Sequence, residues 1–244
     1  MTTAELDTGA QLFARYAYAP NHLGYCGPPH PELLLEGTRE SIESAARQFT
    51  GAWPYLQVLS RMTGIPDPLD RRLVESYWLG GGVGARLDPR DFTTELLAVI
   101  GPQAGHYWTH LGAHLADEAA PNHCFHVFGV YPWTRLLGKG GPELDAQPLS
   151  VLDNCRISWG TVVSVNDDKA EVRRQTLQWD GTALFLGAPG IRPAELGLPV
   201  AEGDLVAVHW DRVCDRLTAQ QARTLEQCTL RQLRVTNDRL RASK

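Results

Sequence analysis

The residues best suited to chemistry in this chain are thiols and imidazoles, and they fall into three groups. The first is a pair. Cys155 opens the β-like stretch Cys155-Arg156-Ile157-Ser158-Trp159-Gly160-Thr161-Val162-Val163. His209 closes a later one, Glu202-Gly203-Asp204-Leu205-Val206-Ala207-Val208-His209. A thiolate and a neutral imidazole suit iron, and binding releases the thiol proton. Both residues stand at strand ends, where side chains converge, so they are expected close together at one end of a small barrel.

The second group is denser. Five of the eight histidines, His106, His110, His114, His123 and His126, lie between Gly101 and Leu137, with Cys124 among them. The first three are four residues apart, which on a helix makes a row with Cβ atoms ~6 Å apart. His106 and His110 could then share one ion, and Cys124 would add a soft donor. The same row drifts around a helix and also suits a half-buried packing face. The span as a whole points to a metal or haem site walled by Tyr107, Trp108 and Phe125. The third group, His22, Tyr25 and Cys26, sits in the turn Asn21-His22-Leu23-Gly24-Tyr25-Cys26-Gly27-Pro28-Pro29. That turn brings an imidazole and a thiol close together and would wall the same pocket. It reads equally as a loop whose cysteine packs as a small hydrophobe.

Helices must position most of these residues. Leu6, Ala10, Phe13 and Ala17 recur at helical spacing, with Pro20 as the stop. A second run covers Thr38 to Leu59, kinked or ended by Pro54, and a third covers Pro68 to Trp78. Asp88-Pro89 reads as an N-cap and first helical residue. Residues Gly138 to Pro148 have the composition of a linker, which divides a helical domain (1–150) from a β domain (151–244). Past it, Ile157, Trp159, Thr161, Val163 and Val165 alternate as the buried face of a strand. Asn166-Asp167-Asp168 turns into a hairpin partner, Ala170 to Thr176, and Thr182–Leu186 and Leu205–Trp210 follow as strands. Thr218 to Gln221 is a capping box for a last helix. That helix ends in an excess of Arg231, Arg234, Arg239, Arg241 and Lys244, suited to a solvated tail or a docking surface.

The chain has 244 residues, a net charge of −5 and a hydrophobic share of 43%. The charge argues against nucleic acid as a partner. No apolar run approaches the ~20 residues that span a bilayer, and Met1 to Asp7 has no signal-peptide pattern. A cytoplasmic protein is expected, with no membrane partner. Five scattered cysteines fit free thiols or ligands in a reducing compartment.

Residues 153–235 resemble the HypC/HupF family of nickel–iron hydrogenase assembly chaperones. The family's opening Cys-x-x-x-Pro-Gly-x-Val is matched by Cys155, Gly160 and Val162, with Trp159 where the family has proline. Its Val-Gly-Asp-x-Val-x-Val-His segment is matched by Glu202 to His209, and its last helix by Leu217 to Ala222. The resemblance implies an OB-like β-barrel with a C-terminal helix. It also implies that Cys155 and His209 handle iron carrying diatomic ligands, with a hydrogenase maturation protein or large-subunit precursor as partner.

The expected fold is therefore α+β, helices followed by an OB-like barrel and a last helix. The expected function is an accessory role in metallocentre assembly. The alternative is an iron- or haem-dependent enzyme whose helical domain carries the site on His106, His110, His123, Cys124 and His126. A third reading is an adaptor that has kept the fold and lost the metal. No Ser-His-Asp order, paired carboxylates or nucleotide loop supports hydrolase or kinase chemistry.

Overall fold

Caps and prolines set most of the helix boundaries. The computed structural model describes residues 8–101 and 112–242. Thr8 and Gln11 form a capping box that starts α1, Gly9–His22. The helix runs through Pro20 instead of stopping before it. Two short helices follow, α2 (Leu33–Glu36) and α3 (Arg39–Ala46). The expected run from Thr38 to Leu59 breaks at residues 47–51, ahead of Pro54. Pro54 falls in the first turn of α4, Ala52–Thr63, where its missing N–H leaves no bond unmade. Asp70 caps α5, Arg71–Leu79. Asp88 caps α6, Pro89–Ile100, with Pro89 at its start as expected. Then a single turn, α7 (His123–Phe125), passes directly into a π-helical turn at His126–Val130.

Residues 142–148, expected within a linker, are the first half of α8, Pro142–Cys155. Pro142 occupies the first helical position, which its fixed φ favours. Cys155 is therefore the last residue of a helix.

The barrel comes next. Its strands are β1 (Ser158–Asn166), β2 (Lys169–Arg174), β5 (Gly190–Leu196), β6 (Leu205–His209) and β7 (Arg212–Arg216). They close in the order β1-β2-β5-β7-β6, with β5 and β7 parallel and every other pair antiparallel. This is the OB-like barrel expected. Val162, Val172, Ala194, Val206 and Val213 fill it. On β1 the inward face is Ser158, Gly160 and Val162, the opposite parity to the expected one. Ile157 and the half-buried Trp159 instead face the helical layer and join its core. Apolar alternation had marked the face that meets the helices. A side hairpin of β3 (Leu177–Trp179) and β4 (Leu184–Leu186) leaves the barrel.

The chain ends in α9, Ala219–Ala242, started by the expected capping box of Thr218 and Gln221. Its Arg231 and Arg239 are tied inward, donating to the carbonyls of Glu118, Ala119 and Phe128. One apolar cluster unites the layers: Phe13, Leu56, Tyr77 and Trp78 share it with Ile157, Ala207, Cys214 and Leu225. No helix among the described residues is long and apolar enough to cross a membrane.

Candidate metal centre

Three elements from distant parts of the chain meet where the barrel touches the helices. His209 ends β6. Trp210 and Asp211, which follow it, both have φ near +50°, forming the tight mirror-image turn that returns into β7. The Trp210 N–H donates to the Asn154 carbonyl at 3.0 Å, pinning the turn to the end of α8 beside Cys155. Pro20 supplies the next constraint. Lacking an N–H, it leaves the Tyr16 carbonyl without an intrahelical donor. His209 Nδ1 is 2.7 Å from that carbonyl and donates to it. The tautomer is thereby fixed, and Nε2 keeps its lone pair with no protein partner. A ring nitrogen held this way is the usual preparation of a histidine for a metal.

His123 arrives from α7. Its Nε2 is 2.8 Å from the Cys155 carbonyl, one of the terminal carbonyls of α8 that no intrahelical donor reaches. Its Nδ1 is 3.1 Å from the Tyr77 hydroxyl. The ring lies across that of His209 at 5.4 Å and against Trp78 at 4.7 Å. The donor atoms of His123, Cys155 and His209 all lie within 4.8 Å of one another. Tetrahedral coordination brings such atoms to about 3.5 Å, so side-chain rotation of about an ångström gathers them around an ion.

Around the trio is a chamber of ≈ 30 Å³ that His126, Cys26 and Tyr131 also line. That is enough to hold a water or a single ion, about 10–15 Å³ being needed. His126 enters because Gly51 lacks a side chain: a Cβ there would come 2.6 Å from Nε2. Outside the chamber lies a vestibule of ≈ 300 Å³, walled by Tyr25, Trp133, Val151 and Trp210. Pro20, Cys26, Tyr131 and Cys155 line both spaces, which therefore adjoin.

Burial dictates the protonation. It holds His209 at about 4 and His126 at about 3, far under the usual 6.5. His123 is also well below that value, through burial and then its neighbours His209 and His126. Burial pushes the Cys26 thiol up to about 12. The Cys155 thiol is raised too, with Cys26 adding to the effect and the Trp210 side chain opposing it. At neutral pH the chamber therefore holds neutral imidazoles, ready to ligate, and thiols that must each lose a proton to do so.

A family model described as a family of unknown function (DUF6390) matches residues 5–243. The chain belongs to DUF6390. Neither a curated protein nor a solved structure matches it. The DUF6390 match spans helices and barrel alike, and the chamber of this DUF6390 chain draws on both.

The sequence-derived candidates separate clearly. Cys155, His209 and His123 converge, and His126 and Cys26 line the same chamber. Cys124 does not: its sulfur faces α9, 3.6 Å from the Thr229 hydroxyl, because one step along a helical turn rotates it away from the face that His123 and His126 share. His22 is exposed, stacked on Tyr18, and lines a different cleft with Lys169 and Arg212. Tyr25, 54% exposed, contributes as a vestibule wall, its ring tilted over Trp210. His106 and His110, with Tyr107 and Trp108, lie outside the described residues. The backbone of His114 lies in a short 3-10 helix, Ala113–Asp117, and the row expected of it with His106 and His110 lies outside the described residues. Phe125 packs on Tyr55; the aromatic walls are Phe49, Tyr77, Trp78 and Tyr131. Sequence reading missed Tyr16 and Tyr77 as orienting partners. Pro20 inside an apolar helical pattern was the available signal for Tyr16.

Proposed function

We propose that this chain is a metal-dependent protein holding one ion of a borderline first-row metal, iron being the expected one, on His123, Cys155 and His209. The observation that carries the reading is the convergence of those three donor atoms, from three elements, in a chamber of single-ion size. Two imidazoles and a thiolate suit divalent iron or zinc. A porphyrin has no room in the chamber, so a lone ion is favoured over haem. The bound ion would supply Lewis acidity to a molecule entering from the vestibule. The chain's own residues do the rest. The Tyr16 and Cys155 carbonyls orient the imidazoles of His209 and His123, Trp78 and Tyr131 exclude water, and the vestibule, with no charged side chain among its described lining residues, selects a small uncharged molecule.

A second reading has its own support. Cys155 and His209 are the two residues that the hydrogenase-chaperone resemblance singles out, and they do lie together. In that reading the ion is cargo, passed on to a hydrogenase maturation protein or large-subunit precursor.

Metal analysis of the full chain purified without air tests both. The expected result is about one equivalent of a first-row metal and no Soret band. Cys155→Ser and His209→Asn should lower the content at least tenfold, and Cys124→Ser should leave it intact. Unchanged metal in Cys155→Ser would sink the site. Retention of the ion during incubation with a metal-free hydrogenase large subunit supports a resident centre; its transfer supports the accessory role.

A further inference from the structure

The charge of the proposed centre is unbalanced. Resting on that reading, a divalent ion with two neutral imidazoles and one thiolate keeps one positive charge. No carboxylate lines the chamber among the described residues, and an uncompensated buried charge is strongly unfavourable. The remaining group able to supply a soft anion is Cys26, which lines the chamber with the three ligands and also the vestibule.

Its backbone is held in place for the task. Asn21, 5% exposed, donates from Nδ2 to the carbonyls of Cys26 at 2.8 Å and Pro28 at 2.6 Å. Gly27 has φ +85°, and a Cβ there would come 2.4 Å from the Phe49 ring, so the turn lies directly on the helical core. Cys26 stands outside the three donors that lie within 4.8 Å of one another, so with the turn fixed its thiol would reach the ion by rotating about χ1. A second buried atom without a partner, His126 Nδ1, belongs to the same chamber, which marks it as a place built for more than packing.

We propose that Cys26 is the fourth ligand, completing a charge-neutral centre of two imidazoles and two thiolates, and that a small protic molecule from the vestibule takes its place by giving its proton to the Cys26 thiolate as the metal–sulfur bond breaks, so that the charge stays balanced. On loading, the S–H bonds of Cys26 and Cys155 break, two sulfur–metal bonds form, and two protons pass to the buffer. No electron moves.

Counting those protons is the test. Cobalt(II) chloride is titrated into the reduced, metal-free full chain at pH 7, in two buffers of different ionisation enthalpy. Wild type should release about two protons per ion and Cys26→Ser about one, since neutral imidazoles release none. Cys26→Ser should also bind at least tenfold more weakly. Cys26→Ala should repeat the count of one, and far-ultraviolet circular dichroism shows that both variants are folded. Tyr131→Phe should still release two. Two protons from both Cys26 variants, or one from Tyr131→Phe, would overturn the assignment. One proton from wild type refutes only the role of Cys26. A wild type that binds no cobalt refutes the centre and this inference with it.

Discussion

Burial and a hydrogen bond pull His209 in opposite directions. The Tyr16 carbonyl favours the imidazolium, while burial, the larger effect, holds the ring neutral with a value of about 4 against 6.5 when unfolded. Between those two values the unfolded chain takes up a proton that the folded chain refuses. Stability must then rise with pH across the window, reach its full value above pH 6.5, and drain away as pH falls toward 4. Each pK unit is worth about 1.4 kcal/mol, so His209 alone weighs on the order of 3 kcal/mol. His126 and His123 act in the same direction. The metal-free chain should therefore show urea midpoints that drop steeply from pH 7 to pH 5, and His209→Gln should flatten that drop. An identical pH slope in the variant would mean that the imidazole charges freely inside the fold. The pair Cys155 and His209 was legible in the sequence because each stands at the edge of a β-like pattern. Which of the five clustered histidines joins them was not: His123 is selected by α5 and the end of α8, contacts 46 and 32 residues away in the chain.

At the scale of elements, the junction of α8 and β1 decides whether the donors stay gathered. Arg156, 2% exposed, follows Cys155 directly. Its Nε donates to Asp153 Oδ1 at 2.9 Å and its Nη2 to the Gln175 carbonyl at 2.5 Å. The same Asp153 oxygen accepts the Leu177 N–H at 2.8 Å, so a single carboxylate ties α8, its junction with β1 and β3 together. Asp153→Ala strips a buried guanidinium of its counter-charge, a loss of 3–5 kcal/mol in comparable cases. Asp153 is partly exposed, so about 3 kcal/mol is the expected fall in denaturant stability. Asp153→Asn, which keeps the acceptor for Leu177, should recover only part of it. A loss under about 1 kcal/mol for the alanine variant would show that Arg156 is balanced elsewhere. The local legibility of these elements follows their composition. Asp88-Pro89 and Thr218–Gln221 carry capping chemistry that needs no tertiary help. Strand β5, Gly190–Leu196, escaped notice because it begins at glycine, contains Pro193 and is largely exposed. Helix α8 was hidden by the glycines before it, by Pro142 that starts it and by Pro148 inside it.

Across the whole molecule, α9 is the piece that makes helices and barrel one body. Its Leu225 lies in the shared core, and Leu233 in the smaller cluster with Phe128, Leu152 and Leu184. Arg239 pairs with Glu118 at 2.6 Å, both nearly buried, and Asn237 exchanges two hydrogen bonds with Leu184 of β4. An element that caps the helical core, the π-helical turn and the side hairpin together leaves neither half a finished surface without it. Removing it would uncover Gly80 and Cys124, on which Cys228 and Thr229 lie, and orphan Glu118 at once. Thermal unfolding of the intact chain should accordingly be a single transition, coincident by near- and far-ultraviolet circular dichroism, with equal calorimetric and van't Hoff enthalpies. A chain ending at Leu217 should lose that transition and become protease-sensitive throughout, helices as well as barrel. Should the shortened chain instead show a separate cooperative melt with a protected 156–217 fragment, the barrel is an independent folding unit. The chamber at its edge would then be a contact between domains, open to separation, and no longer a site enclosed by one core.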